Sequence, residues 1–330
     1  MEKFKSITII LLLAISFLAI SNMTFADFGE LSRAENSTKI TLEEDIVSVY
    51  ADQRVLLRYH YENVPFKPYV QELFSPSGIN VLRDAPADHL HHHALMFAVA
   101  VDGVNFWEEQ QAPGRQVHRY FTETRIGKHI DVPIACFTEQ LDWVNPGSQE
   151  LLLKEFRTIE VCQLNKFKAT LLNWQSSLAV PSGKESVTLT GSHYFGLGMR
   201  FLESLDVGGQ FNNSEGKIGD VVRGDERIVQ ARWCSYSAKA NGTPVMVAMF
   251  GHPDNLRHPT QWFTMTKPFA YLSATLNLHR EPLKVTSDKP LVLRYAVAVW
   301  DNRIGPRPVK DGRGENEQIE KVYNWWVNSK

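Results

Sequence analysis

Roughly a dozen short segments rich in Val, Ile, Thr, Tyr and Phe, each cut off by Gly, Pro, Asn or Asp, constrain this chain more than any other feature. They include Lys39 to Tyr50, Arg54 to Tyr61 (RVLLRYHY), Leu151 to Val161, Phe167 to Trp174, Pro244 to Phe250 and Leu291 to Trp300. Tyr69 to Phe74 and Ile79 to Leu82 flank Ser75-Pro76-Ser77-Gly78, the pattern of a hairpin. His93 to Val101 is apolar after its first residue and reads as a buried strand ending at Asp102-Gly103. Helical spacing is legible at Asn316 to Asn328, where Ile319, Val322, Tyr323 and Trp326 recur on one face. Many strands with few helices between them predict an all-β fold, a large antiparallel β-sandwich closed by a short C-terminal helix. No repeat or low-complexity linker is visible, so residues 27–330 read as one domain; a division near Pro181-Ser182-Gly183 is the alternative.

The N-terminus has a different character. Lys3 and Lys5 precede an apolar run from Ile7 to Ile20, and Thr24-Phe25-Ala26 ends on a small residue. This is the layout of a signal peptide spanning 1–26, and it predicts a periplasmic or secreted protein. An uncleaved anchor fits less well, because the run is shorter than the ~20 residues a span needs. No second long apolar run follows, so no membrane contact is expected after cleavage. The net charge of −2 leaves no basic excess for a nucleic-acid backbone. Cys136, Cys162 and Cys234 can form at most one internal disulfide and are expected to be buried, inert thiols.

Three polar clusters could carry chemistry. The densest is Arg83-Asp84-Ala85-Pro86-Ala87-Asp88-His89-Leu90-His91-His92-His93. In an extended chain His89, His91 and His93 share one face and His92 takes the other. Imidazoles there can exchange protons or hydrogen-bond sugar hydroxyls. The second cluster is Gly251-His252-Pro253-Asp254-Asn255-Leu256-Arg257-His258-Pro259 with Trp262, which offers two imidazoles, a guanidinium fork and a stacking face. The third is the turn Asn212-Asn213-Ser214-Glu215-Gly216. Weaker candidates are Glu108 and Glu109 after Trp107, His118 in Gly114 to His118, and Arg157 and Arg232, which sit in strand patterns where Arg ordinarily marks a solvated face. There is no Gly-rich phosphate loop, nucleophile elbow or Cys-x-x-Cys pattern, so neither a cofactor nor a metal is expected.

At these clusters the chain resembles a bacterial family labelled PmoA-like, or "methane oxygenase PmoA", from about Phe66 to Val299. The matching pieces are RDAPADHLHHHALMFA, VDGVNFWEE, GRQVH, KEFRTIE, NSEGKIGD, ARWCSYS and GHPDNLRHPTQWF. Where the family reads Asp-His-Pro-His-His-Arg-Gly, Asp88, His89, His91 and His92 match, while Leu90, His93 and Ala94 depart. A true membrane oxygenase subunit needs several spanning helices, so the oxygenase label does not carry over. The resemblance implies a secreted supersandwich of the galactose-mutarotase-like kind, associated with glycan use. The expected function is therefore a carbohydrate-active protein, a glycan hydrolase or lyase. His92, His118, Glu215, His252 and His258 would do acid–base work. Arg83, His89, His91, Trp107, Asn213, Arg232, Arg257 and Trp262 would hold the sugar. A glycan-binding protein without turnover, a mutarotase or epimerase, and a metalloenzyme are the rivals. The expectation requires that the histidine run, the Asn213 turn and the His252 loop line one hollow.

Overall fold

The computed structural model describes residues 38–301 and 313–329; the signal-peptide reading at 1–26 lies outside them. Within that range the chain is an antiparallel β-sandwich with a C-terminal helix. One sheet has ten strands, in the order Thr38–Leu42, Ile46–Ala51, Arg54–His60, Tyr69–Leu73, Leu95–Ala98, Gly196–Arg200, Tyr271–Thr275, Gln261–Met265, Arg227–Gln230 and Asp220–Val221. The other has eight: Gln210–Asn213, Trp233–Ala240, Thr243–Gly251, Leu291–Asp301, Ala169–Ala179, Glu150–Leu164, Val132–Asn145 and Arg115–His129. A four-stranded sheet joins Leu283–Thr286, Ser186–Thr190, Ala100–Val101 and Val104–Asn105. The expected hairpin forms, with Ser75 N donating to Ile79 O (2.9 Å) and Gly78 turning at φ +89°.

Alternation along the strands explains both cores. In Thr243–Gly251, Val245, Val247 and Met249 point between the sheets. Met246, Ala248 and Phe250 point outward, where Ile319, Val322, Tyr323 and Trp326 of the helix Arg313–Asn328 cover them. Leu291–Asp301 does the same, with Leu293, Tyr295, Val297 and Val299 inward and Ala296, Ala298 and Trp300 under the helix. Residues 245–250 and 295–300 are apolar without alternation because both faces are buried there.

The same rule corrects one expectation. Arg157 is not on a solvated face: it is 0% exposed, between Glu155 and Ile159 on the inward side of Glu150–Leu164. A buried guanidinium needs partners, and it has them. It bonds both Glu155 oxygens (2.9 Å each), Tyr59 Oη (3.0 Å), Pro68 O (2.9 Å) and Gln116 Oε1 (2.8 Å). The three cysteines are free and buried, and burial pushes the Cys136 thiol up to about 12. No helix among the described residues is long and apolar enough to cross a membrane.

Candidate functional site

The histidine run is a tight turn, not an extended strand. His89 N donates to Pro86 O (2.8 Å), His92 N to His89 O (3.0 Å) and Ala85 N to His92 O (3.0 Å). The turn is flanked by left-handed residues, Ala85 (φ +39°) and Ala94 (φ +42°). This winding overturns the expected division of faces. His89, His91 and His92 gather on one side, with ring centroids 4.6 Å apart for His89–His92 and for His91–His92 and 5.7 Å for His89–His91. His93 turns the other way, its Nδ1 lying 3.0 Å from Asp84.

These three imidazoles form one end of a cavity of about 540 Å³. Trp107 stands edge-on to His91 (5.1 Å) and His92 (5.3 Å) and stacks flat on Phe195 (5.3 Å, 8°). Phe269 meets His89 and His92 edge-on. The register pairs Met265 with Tyr271 and Phe263 with Ser273, so Phe263, Met265 and Tyr271 reach the cavity from neighbouring strands. The same alternation sends Trp262, paired with Ala274, to the opposite face, where it is 0% exposed and donates to Ala231 O (2.8 Å). Trp262 therefore packs the core and does not line the cleft.

The remaining lining is polar. Glu108 accepts the Tyr194 hydroxyl (3.0 Å). The buried Glu226 accepts from Arg223 Nη2 (2.6 Å) and lies 3.2 Å from His193 Nε2. Asp225 accepts from Thr266, and Lys267 sits exposed at the rim. Burial, reinforced by the neighbouring His91, His89 and Arg200, pushes the His92 imidazole down to about 2. Burial and His89 also lower His91. Burial, with Glu108 beside it, pushes the Tyr194 hydroxyl up to about 12. At neutral pH these three groups are uncharged and can hydrogen-bond without a counter-ion. His92 Nδ1 is buried and makes no hydrogen bond.

The other expected site residues lie elsewhere, so the three stretches do not line one hollow. Asn213 is the centre of its own turn, its Oδ1 accepting from Glu215 N (3.0 Å) and its Nδ2 donating to Lys217 O (2.6 Å). Glu215 is exposed and holds the Ser214 hydroxyl (2.9 Å). Arg232 forks onto Glu320 of the helix (2.7 and 3.0 Å) over the Tyr323 ring. Its backbone N bonds Ser214 Oγ (2.9 Å) and its O accepts from Gly251 N (3.0 Å), so the second and third clusters meet each other and not the first. His252 stands edge-on to Trp326 (5.3 Å) in a separate cavity of about 350 Å³. His258 is lowered by burial and by Arg232 nearby. Arg257 staples its loop by donating to Leu276 O (2.5 Å) and Glu281 O (2.9 Å). Arg83 lies 3.4 Å from Glu203. His118 is held at 2.7 Å by the fully buried Glu139 and packs on Tyr61 and Phe121.

Sequence reasoning missed Tyr194, Arg223, Glu226, Phe269 and Tyr271, which come from segments far from the histidine run. One signal was present, the aromatic and histidine pair-up in Ser192-His193-Tyr194-Phe195. Among the described residues no three His, Cys, Asp or Glu side chains are placed to hold a metal ion.

Comparison with solved structures finds the alpha-galactosidase from Lactobacillus brevis at 5% identity and TM-score 0.42, matching 82% of this chain and 40% of that one. The GH36 alpha-galactosidase AgaB from Geobacillus stearothermophilus matches at 8% identity and TM-score 0.44, over 82% of this chain and 41% of that one. A galactose mutarotase related enzyme from Lactobacillus acidophilus matches at 8% identity and TM-score 0.38, over 82% of this chain and 100% of that one. The chain thus spans about two fifths of the length of the two galactosidases. No curated protein matches it in sequence. A family model described as "Family of unknown function (DUF6807)" matches residues 46–311.

Proposed function

The chain belongs to the DUF6807 family, and we propose that this member is a carbohydrate-active protein whose sugar occupies the histidine cleft. One observation carries the reading. His89, His91 and His92 converge in a sugar-sized cavity whose aromatic walls are Trp107, Phe263, Phe269 and Tyr271 and whose remaining lining is polar. A sugar ring presents C–H faces and hydroxyl edges. It therefore needs apolar faces and uncharged donors and acceptors side by side, and a volume within the usual range for small-ligand sites. The resemblance to the PmoA-like family and secretion, read from Lys3, Lys5 and the run Ile7 to Ile20, belong to the same proposal.

The chemistry divides by proton affinity. His92, pushed down to about 2, is a poor proton carrier at neutral pH and serves as a hydrogen-bonding group. Tyr194, pushed up to about 12, donates and does not act as a base. For a hydrolase or lyase we assign the proton transfer to a carboxylate, with Glu108, held by the Tyr194 hydroxyl, as the group that moves the proton and Glu226 lining the same cleft. Arg223 and Lys267 take the anchoring part that the sequence pointed to at Arg83, Arg232 and Arg257. A second reading, a sugar binder without turnover, draws on the same two shifted groups, because neither suits acid–base work. Calorimetry with mono- and oligosaccharides and a reducing-end assay on polysaccharides test both readings. Binding is expected to be lost in His92→Ala. Glu108→Gln should abolish turnover if the protein is an enzyme and spare binding if it is not. A wild-type protein that binds no saccharide, or a His92→Ala variant that binds unchanged, refutes the proposal.

A further inference from the structure

Behind the histidine turn runs a chain of charges, Lys67 and His93 buried and Asp84 and Glu109 half-buried, that the cleft itself does not use. Lys67 is 1% exposed; its ammonium pairs with Glu109 and donates to the backbone O of Trp107 (3.4 Å). Glu109 Oε1 lies 3.0 Å from His93 Nε2 in an ion pair, and His93 Nδ1 lies 3.0 Å from Asp84 Oδ1. Asp84 also accepts from the Tyr69 hydroxyl (2.7 Å) and Gln71 Nε2 (3.3 Å), both on the strand Tyr69–Leu73.

Both ring nitrogens of His93 therefore lie 3.0 Å from a carboxylate oxygen, Nδ1 in a hydrogen bond to Asp84 and Nε2 in charge contact with Glu109 without hydrogen-bond alignment. A neutral imidazole has one N–H and would turn a lone pair on one of the two anions, so the geometry calls for the imidazolium. With that proton the cluster balances, Lys67 and His93 against Glu109 and Asp84. Without it one of the two half-buried carboxylates faces an imidazole lone pair in place of a cation, Glu109 keeping only Lys67 or Asp84 only Tyr69 and Gln71, which is unfavourable.

The cluster is also placed to matter. Asp84 and His93 form the bridge that closes the histidine turn. Glu109 and the Trp107 carbonyl belong to the segment that carries Trp107 and Glu108 into the cleft. We propose that Lys67 and His93 are positioning residues. A protonated His93 between Asp84 and Glu109, backed by Lys67, fixes His89, His91 and His92 against Trp107, and loss of that proton loosens the cleft and weakens its ligand. The proposal rests on the sugar reading for the identity of the ligand alone.

The sign of the pH effect follows from the neighbours. From every element packed against it, the groups facing His93 are Asp84, Glu109, Lys67, His92 and the Tyr69 ring, 4.7 Å away. Burial works to lower the His93 pKa, but the interactions with Asp84 and Glu109 outweigh it and hold it above the ordinary histidine value. The clamp is closed below that raised value and opens as pH rises through it.

Three measurements on the full chain test this. Ring-¹⁵N histidine NMR, assigned with His93→Gln, should show both His93 nitrogens protonated at neutral pH. Amide exchange over residues 86–92 and 105–109 should accelerate by about tenfold or more in His93→Gln and Lys67→Met, with circular dichroism confirming that both variants fold. Calorimetry with D-galactose, D-glucose and D-glucuronate should show affinity falling with rising pH in the wild type. It should be about ten- to hundredfold weaker in His93→Gln, as small displacements of positioned groups produce. His93→Arg, a permanent cation, should keep the affinity and lose the pH dependence. If His93 titrates as a neutral ring at pH 7, or exchange in His93→Gln matches the wild type, the clamp is refuted. If no probe binds the wild type while NMR and exchange behave as described, the sugar reading fails and the clamp stands. If a probe binds wild type and His93→Gln equally at every pH, the clamp fails and the sugar reading stands.

Discussion

Arg157→Met removes a guanidinium that is 0% exposed and leaves a side chain of similar reach in its place. Arg157 makes five hydrogen bonds and lies 4.7 Å over the Trp174 ring. After the change, Glu155 keeps the Trp143 indole N–H (2.9 Å) and the Ser176 hydroxyl (2.5 Å) but has no cation. Glu139, which holds Tyr59 and His118, loses the positive charge that Tyr59 relays to it. Breaking a buried pair from one side costs about 3–5 kcal/mol, because the stranded charge stays desolvated. At about 2–4 °C per kcal/mol for a chain of this size, the Tm should fall by about 6–20 °C. The assay is equilibrium unfolding followed by circular dichroism, run beside Glu155→Gln and the double variant. Removing both charges takes away the stranded anion, so the double variant should be less destabilised than the sum of the singles. A loss under about 1 kcal/mol for Arg157→Met, the value of a surface pair, would refute the argument. Strict additivity in the double variant would do the same.

Two further outcomes are expected. Burial first, then neighbouring positive groups, keeps His92 unprotonated in the fold down to about 2, whereas the unfolded chain takes up that proton near 6.5. Stability should therefore fall as pH drops below 6.5, by up to about 1.4 kcal/mol per pH unit from this group. Urea unfolding of His92→Asn between pH 6.5 and 4 should show a shallower decline, and an unchanged slope would contradict the assignment. Gly198 is the other test: a Cβ there would sit 1.9 Å from Oη of Tyr271, a cleft-lining residue 2% exposed, and could be relieved only by pushing that ring out of place. Gly198→Ala should cost about 1–3 kcal/mol of overpacking and weaken ligand in the cleft. A Tm equal to the wild type's would show that the site has slack.

The strand content, the antiparallel sandwich and the C-terminal helix were legible in the sequence because they depend on local pattern. Alternation and turn residues set the strands, and the spacing of Ile319, Val322, Tyr323 and Trp326 set the helix, which begins a few residues before the expected Asn316. The histidine run announced itself by composition, and Trp107 followed close by. What composition does not encode is direction. The winding of Pro86 to His92 decided that His93 faces away from its neighbours. A one-residue step along a strand decided that Trp262 is core while Phe263 is wall.

The sequence by itself determined which segments alternate, where they break and which residues could do chemistry, since each of these is a property of a few neighbouring positions. The tertiary structure alone decided company. It drew Tyr194, Glu226, Phe269 and Tyr271 to His89, His91 and His92, and it sent Asn213, Arg232 and His252 to the sheet beneath the helix. Strand order in a sheet is fixed by long-range pairing, which no local stretch of the chain specifies.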